Sequence, residues 1–589
     1  MFNEKQQQEI RKIVIKNAID YGKARKESAL NKVLSKHPEL KQNITALSTY
    51  IEKEVKEVNL MSKEEITLEA ESFSEAFKSE EKERFERTAK PHFFLDGAVV
   101  GKFLTRFPPE PNGYMQIGHA KASFTEKEFT KIYDGKLALY FDDTNPDTER
   151  QEFVDAIKYD LEWLGIEYDM EYYASDNIEF IYGQAEKLIS QNKAYACSCS
   201  PDEVKKSRIS GIGCKHKRQE IHENMELWRA MLNNTVEDDI IIRLNNDLKA
   251  LNTAMRDPTL FRIKTKEHYR QGTKYTVWPT YAFNTPIIDS IKGVTDVIRS
   301  KEFELLDELY FYILTSLNMQ KPRIHSISRL KIKDNLTSKR KINELIKQGV
   351  LWGYDDPRLV TISGLRRRGI TPNAIKEFSM RFGMSKSESK VDINMLLSEN
   401  KKLIDTTSKR LFYVEKPLKV TVAGIPEEKK NVKLKLHPSS DLGYRTYMLS
   451  NIFFINTYDA TNLIKDGDLR LKDAIDIKIE SINKNGISAR YVESSSSTAP
   501  RVQWVNEGNF ISCNIYEVGT LLNNELFNKN SLSIKEGYVE SYVESLVEGE
   551  TVQFERVGFF KLDKNTEKPS FKRASVSLSN ALFFKLYAI

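Results

Sequence analysis

Apolar residues recur at helical spacing through the first hundred positions, as at Ile10, Ile13 and Val14, among many Lys, Glu and Gln and almost no glycine. That pattern predicts an appended helical segment over 1–96. Its charged stretch Lys78–Lys90 (KSEEKERFERTAK) reads as a solvated helix or linker, ended by Pro91. The pattern then changes. Ala98-Val99-Val100 and Phe103-Leu104 read as a strand-like approach, two prolines and Asn112-Gly113 as a turn, and a helix begins at about Ile117. Leu137–Pro146 (LALYFDDTNP) is a buried strand that ends in two carboxylates and a turn, and Phe153–Ile166 is an amphipathic helix. A second set of such elements lies near Tyr275–Leu330. Strands alternating with helices predict a parallel sheet. Between the two sets, 176–277 differs in character, holds three of the four cysteines and reads as an insertion. Residues 331–408 look helical and basic. From 409 to 589, short strands and turns such as VKLKLHPSSDLG, RVQWVNEGNF and GETVQFERVGFFKLD predict one or two β-barrels.

The expected fold class is therefore multidomain α/β plus β: a Rossmann-type sheet over 97–175 and 278–330, split by the insertion, with helical regions at 1–96 and 331–408 and barrels at 409–589. Composition does not disturb this picture. Of 589 residues, 40% are hydrophobic and 30% charged, which is ordinary for a globular protein. The net charge of +6 is mild, so a nucleic-acid partner has to be held by local basic patches. No apolar run approaches the ~18 residues of a membrane span. The first residues, MFNEKQQQEIRK, do not read as a signal peptide. Four cysteines in so long a chain point to the reducing cytoplasm.

The run Arg106–Lys121 (RFPPEPNGYMQIGHAK) has the chemistry of a nucleotide-receiving turn. Gly118 lets phosphates approach the backbone, and the helix start offers unpaired N–H groups to them. It is neither a GxxxxGK[ST] loop nor a GxGxxG fingerprint. Cys197-x-Cys199 followed by Cys214-x-His216 supplies three thiolates and one imidazole, a complete tetrahedral shell for structural Zn2+. Cys513 stands alone and reads as a core residue. Arg366, Arg367 and Arg368 cannot all face a core and are candidates for binding RNA phosphates.

The run resembles the first signature of the class I aminoacyl-tRNA synthetases in its glutamyl/glutaminyl form. The family reads His-Ile-Gly-His where this chain has Gln116-Ile117-Gly118-His119. DNLTSKRK (Asp334–Lys341), preceded by ISRLKI, resembles the family's mobile lysine loop, with Thr337 departing from the usual apolar residue. WGYDDPRLVTISGLRRRGI (Trp352–Ile370) is similar to a stretch shared by archaeal and eukaryotic members. HPEL, an EVKEVN helix and the strand-rich C-terminus also resemble the archaeal/eukaryotic type. The resemblance implies ATP binding by Pro108, Gln116, Gly118, His119, Arg329, Ser338, Lys339 and Arg340, with His119 and Lys339 stabilising phosphate charge in the transition state. It implies amino-acid recognition by Arg106, Glu110, Asp142, Tyr281 and Arg299, with Asp142 holding the substrate ammonium group. Arginine at 299 is the glutamyl choice, since a side-chain carboxylate needs a cation where an amide does not. The insertion is then a tRNA acceptor-binding domain and the barrels an anticodon-binding region.

The implied activity is that of a cytoplasmic, monomeric glutamate–tRNA ligase using ATP, glutamate, Mg2+ and tRNA(Glu), with tRNA(Gln) as a second acceptor left open. In this family tRNA is usually needed for the activation step. A glutamine–tRNA ligase is the nearest rival, favoured by PPEPNG and opposed by Arg299 and the zinc shell. A synthetase-like tRNA-binding protein without catalysis is the other rival. Retention of His119, Lys339, Asp142 and Arg299 argues against it.

Overall fold

A computed structural model describes residues 2, 4–21, 23–37, 40, 43–73, 94–236, 239–384, 389–461, 463–563 and 584–588. The stretch Lys78–Lys90 and Pro91 lie outside the described residues. The chain divides into two compact units, Met1–His92 and Phe93–Ile589.

In the first unit, helices Glu4–Tyr21, Lys26–Lys36, Ile44–Leu60 and Lys63–Ser72 follow the predicted periodicity. Ile10, Ile13 and Val14 are buried against Leu47, Ile51 and Val58. Arg11 ties three of the helices together by bonds to Glu54 (3.0 Å) and Glu69 (2.8 Å).

The second unit is built on parallel strands. Leu104–Phe107 pairs with Lys136–Phe141, which pairs with Met170–Tyr173. Asp296–Ser300 pairs with Arg323–Ile327. The two groups join where the Thr295 N–H donates to the Leu104 carbonyl at 2.9 Å. The spatial order is therefore third, second, first, fourth, fifth, and the direction of winding reverses between the first and fourth strands. Ligands enter such sheets outside the carboxyl ends at that reversal. Every residue from Leu137 to Phe141 is buried, as a strand covered on both faces requires. Helix Ile117–Ile132 turns Ile117, Ala120, Phe124 and Phe129 inward. Helix Gln151–Trp163 does the same with Val154, Ile157 and Leu161.

The strand-like approach is shorter than its apolar run predicts. Residues 98–100 turn, and Val99 and Val100 are exposed. Gly97 (φ +74°) and Gly101 (φ +76°) take left-handed backbone on either side and break the extended path.

Between the two groups lies a four-stranded antiparallel sheet: Ala194–Cys197, Ile241–Leu244, Thr259–Ile263 and Val277–Pro279. Helices Ile178–Ser190, Pro201–Ser210 and Ile221–Leu232 accompany it, and Trp228 and Phe261 pack edge to face in its core, their centroids 5.0 Å apart. Its last strand runs through Thr280 into helix Tyr281–Ile291.

Beyond Lys409 two seven-stranded sheets curl toward closure. The outermost strands of the first are Lys409–Leu411 and Tyr413–Glu415, separated by Phe412 alone; those of the second are Arg501–Val502 and Trp504–Asn506, separated by Gln503 alone. One bent segment thus supplies both edges of each sheet, which leaves little open edge to aggregate. No helix among the described residues is long and apolar enough to cross a membrane.

Candidate active site and metal centre

A cleft of about 410 Å3 opens at the winding reversal. It brings together Arg106, Pro108, Glu110, Gln116, Gly118, His119, Tyr281, Arg299 and Arg329, all expected from sequence. Two ends of the chain's chemistry meet there. The Gln116 side-chain amide donates to the Thr337 carbonyl at 3.0 Å, which links the helix start to the lysine loop. The same helix start is pinned to 360–362, where the Ile117 N–H donates to the Val360 carbonyl at 3.0 Å and the Ile362 N–H to that of Met115 at 2.9 Å.

His119 accepts the Gln116 backbone N–H at Nδ1 (3.0 Å), so Nε2 carries the proton of the neutral ring. The ring faces the cleft. The surrounding protein, with Lys339 and Arg329 nearby, pushes its imidazole down to about 4. It is therefore neutral at pH 7. Lys339 begins the helix Lys339–Lys347, directly after Ser338 at the N-cap position, whose side chain makes no capping bond. Its side chain passes so close to Gly113 that a Cβ built there would lie 2.8 Å from Lys339 Cε. Burial pulls the Lys339 ammonium below its ordinary pKa, with Glu110 opposing. Ser338 and Arg340 are exposed, and none of Ser338, Lys339 and Arg340 is among the residues that line the cleft.

The inner end of the cleft is crowded with charge. Arg106 is fully buried and forms a bidentate pair with Asp289, Nε–Oδ1 2.8 Å and Nη2–Oδ2 3.1 Å. Its remaining nitrogen, Nη1, is buried without a partner. Arg299 is buried, pairs with Asp307 and leaves Nε unpartnered. Asp142 is buried, is not among the residues that line the cleft, and accepts from Asn284 at 2.6 Å. Burial, then the carboxylates of Glu110, Asp143 and Asp289, push its carboxyl up to about 8, against a smaller pull from Arg106. Tyr281 packs on Phe303, ring centroids 5.2 Å apart.

Asp289, Asn284 and Lys121 escaped the sequence reading. Lys121 is buried, lines the cleft and donates to the Ser328 carbonyl at 2.7 Å. Asp289 had a legible signal: a carboxylate in the middle of the apolar helix run FNTPIIDSI.

The cysteine cluster forms a separate centre. One ligand atom from each of Cys197, Cys199, Cys214 and His216 lies within 4.8 Å of every other. Cys197 Sγ is 3.9 Å from Cys214 Sγ, and His216 Nδ1 is 3.7 Å from Cys197 Sγ and 3.4 Å from Cys199 Sγ. Tetrahedral zinc, with Zn–S near 2.3 Å and Zn–N near 2.0–2.1 Å, requires separations of about 3.8 Å and about 3.5 Å, so the donor set fits. Ser198 Oγ meets His216 Nε2 at 3.3 Å and orients the ring. Arg243 places Nη1 3.7 Å from the Cys197 sulfur and 3.9 Å from that of Cys214, a cation that suits thiolates and that the sequence did not announce. Helix Pro201–Ser210 holds the first pair in place. Ser200 and Glu203 form its capping box, Pro201 fits its first turn, and Gly211 (φ +69°) ends it.

The three consecutive arginines make contacts within the chain. Arg366 pairs with Asp160 (2.9 Å) and lies over the rings of Tyr159 and Trp163. Arg367 pairs with Asp355 (3.0 Å) and Asp563 (2.8 Å). Arg368 is buried, donates to the Val518 carbonyl at 3.2 Å and is brought down to about 10 by burial. Their guanidinium groups join helix Ile362–Arg368 to helix Gln151–Trp163 and to the strands beyond Lys409.

Residues 102–406 match the tRNA synthetases class I (E and Q), catalytic domain. Residues 408–494 and 501–563 match two anti-codon binding domains of the same group. A glutamate–tRNA ligase of Nitrosopumilus maritimus is 38% identical, covering 96% of this chain and 99% of that protein. Those of Cenarchaeum symbiosum and Pyrococcus furiosus are each 36% identical over 94% of this chain, and 96% and 98% of their own lengths. The chain belongs to the class I tRNA synthetases of the E and Q group.

Proposed function

We infer that this chain is a glutamate–tRNA ligase. The observation that carries the choice of amino acid is Arg299: a buried guanidinium in the cleft with one donor unmatched. A γ-carboxylate supplies the missing acceptor as a charge-assisted bond, whereas a neutral amide offers a weaker one. Arg106, through its unpartnered Nη1, faces a second negative group. Asp142 takes the ammonium group, whose charge offsets the burial that holds its proton.

A glutamate α-carboxylate oxygen attacks the α-phosphorus of ATP. The bond to the bridging oxygen breaks, and pyrophosphate leaves with the electron pair. The 2′-hydroxyl of the terminal tRNA adenosine then attacks the acyl carbon, AMP departs, and the hydroxyl proton is released to phosphate or water. Neutral His119 donates from Nε2, and Lys339 carries positive charge to the departing phosphates. Neither residue forms a covalent bond. The work is positioning and electrostatics. Mg2+ adds charge neutralisation and travels with the nucleotide phosphates. Zn2+ in the Cys197, Cys199, Cys214 and His216 shell is structural, since protein fills all four positions. The reading describes a cytoplasmic monomer that charges tRNA(Glu), with tRNA(Gln) as the second acceptor to be tested.

The test is aminoacylation of the two tRNA transcripts with labelled glutamate and then labelled glutamine. Glutamate on tRNA(Glu) is the expected result, and glutamate on both marks a non-discriminating enzyme. Glutamine on tRNA(Gln) overturns the role given to Arg299. No charging, with tRNA still bound, makes the chain a binding protein.

A further inference from the structure

The tip of the lysine loop is polar and weakly held by its own residues. Its two ends are anchored: Leu336 before it and Ile342 after it are buried in one cluster with Leu351, Leu359 and Leu521. Between them, Thr337, Ser338, Arg340 and Lys341 are exposed and Lys339 is half-buried. Such a tip buries little apolar surface, so packing does not fix its backbone. The helix that follows does not fix it either, because the Ser338 side chain makes no capping bond.

Gln116 reaches this tip from the start of helix Ile117–Ile132. Its Nε2 donates to the Thr337 carbonyl at 3.0 Å, two residues before Lys339, and both Gln116 and Thr337 line the cleft. Gln116 itself stands on fixed ground. Its backbone N–H donates to His119 Nδ1 at 3.0 Å, and its backbone bridges antiparallel to that of Thr361. On either side, the Ile117 N–H bonds to the Val360 carbonyl and the Ile362 N–H to that of Met115. A second clasp lies close by. The rings of Tyr114 and Tyr354 have centroids 4.7 Å apart, and the Tyr354 hydroxyl donates to Asn343 Oδ1 at 3.0 Å on the helix that Lys339 begins. A donor on a rigid arm, bonded to a turn that packing leaves loose, has the build of a latch. An amide suits the task, because it can donate to a carbonyl where a carboxylate can only accept.

We propose that Gln116 is a positioning residue that acts through Lys339: its amide latches the Thr337 carbonyl and so sets where the lysine meets the phosphates. The proposal rests on the ligase reading for the reaction it serves, and it deepens that reading by giving the Gln116 amide to the loop and not to the nucleotide.

Limited trypsin digestion of the full chain, mapped by mass spectrometry, reads the latch without any substrate. Gln116→Leu removes the donor, and Gln116→Glu keeps the length but only accepts. Cleavage after Lys339, Arg340 or Lys341 is expected to rise about two- to tenfold in both, the bias that one neutral hydrogen bond exerts, with the rest of the digestion map unchanged. ATP–pyrophosphate exchange in the presence of tRNA supplies the second arm. Gln116→Leu is expected to slow exchange by a similar factor when Lys339 is present, and to cost nothing further in a Lys339→Met background. Parent-like cleavage in both variants overturns the latch. So does cleavage that rises equally across the whole map, since Gln116 then supports the fold and not the loop. Additive losses in the double variant also overturn it, because Gln116 then meets the nucleotide directly. Exchange by the unsubstituted protein separates the two levels. If it exchanges while both variants are cleaved as it is, only the latch falls. If it exchanges nothing, the ligase reading falls, and the digestion map still decides the latch.

Discussion

Removing the carboxylate of Asp289 strands a charge at the centre of the catalytic sheet. Arg106 and Asp289 are both fully buried, joined by two bonds of 2.8 and 3.1 Å, and the Tyr310 hydroxyl adds a third contact to the carboxylate at 2.9 Å. Arg106 remains charged without its partner, and its third nitrogen already lacks an acceptor. Breaking a buried pair from one side costs about 3–5 kcal/mol. Asp289→Ala should therefore lose that much. For a domain this large, at roughly 2 °C per kcal/mol, the catalytic transition should fall by on the order of 6–10 °C. Differential scanning calorimetry on the whole chain resolves that transition from those of the other domains. The double variant Arg106→Met/Asp289→Leu should recover most of the stability, because a well-packed apolar pair avoids the desolvation of both ions. It should recover no charging activity, since Arg106 is then absent from the cleft. A loss below about 1 kcal/mol for Asp289→Ala, or a double variant no more stable than the single, would refute the view that the pair is one coupled unit.

Three further outcomes follow from the site. The Asp142 carboxyl, pushed up to about 8, holds a proton at pH 7 that glutamate's ammonium group must displace, so calorimetry in buffers of different ionisation enthalpy should record proton release on glutamate binding; heat that does not depend on the buffer counts against the assignment. The sign for stability is the reverse of a salt-bridged carboxylate: the folded state binds the extra proton between pH of about 4 and about 8, and this group's contribution falls as pH rises through that window. Cys199→Ser should reduce bound zinc from one ion per chain, measured by mass spectrometry of the metal, and loosen the insertion toward proteolysis, while a parent protein containing no zinc would contradict the structural role. Gly113→Ala puts a methyl group 2.8 Å from Lys339 Cε and should slow ATP–pyrophosphate exchange in the presence of tRNA without lowering the melting temperature; an unchanged exchange rate would show that the lysine reaches the phosphates by another path.

Much of the cleft was legible because its residues sit in local patterns. Pro108, Gly118 and His119 lie on one strand–turn–helix, and the sequence spells that turn out. The zinc donors were legible for the same reason, as two short pairs separated by a glycine-bearing loop. What escaped was the partner of each charged group. Asp289 is 183 residues from Arg106, and no periodicity connects them; only the sheet order brings the helix Tyr281–Ile291 under the first strand. The partners of Arg366, Arg367 and Arg368 were hidden for a related reason. A basic run looks solvated until the fold supplies Asp160, Asp563 and the Val518 carbonyl from other elements. Val99 and Val100 do not form a strand, because the left-handed backbone of the two flanking glycines outweighs their hydrophobicity.

On the proposed reading, the unmatched donors in the cleft let one site favour an amino acid with two carboxylates. A buried polar group without a partner costs about 1–3 kcal/mol, more when charged. The resting protein carries that cost at Arg106 Nη1 and at Arg299 Nε, and it holds the neighbouring Asp142 protonated by burial. On the proposed reading, each of these costs is relieved by a different group of glutamate: two by carboxylates, one by the ammonium ion. Glutamine supplies the same ammonium and α-carboxylate but leaves Arg299 facing a weaker acceptor with no charge. On that reading, discrimination at that position comes from the protein's own unmatched donor, and not from the size of the cavity, since the two side chains are nearly the same shape. Arg299→Gln removes the penalty against glutamine and the reward for glutamate together. Its kcat/KM for glutamate should fall by at least tenfold while its preference over glutamine collapses toward unity, on the scale of about 1.5–3 kcal/mol for a charged hydrogen bond. A variant that weakens glutamate use yet keeps the parent's preference would place the discrimination elsewhere in the cleft.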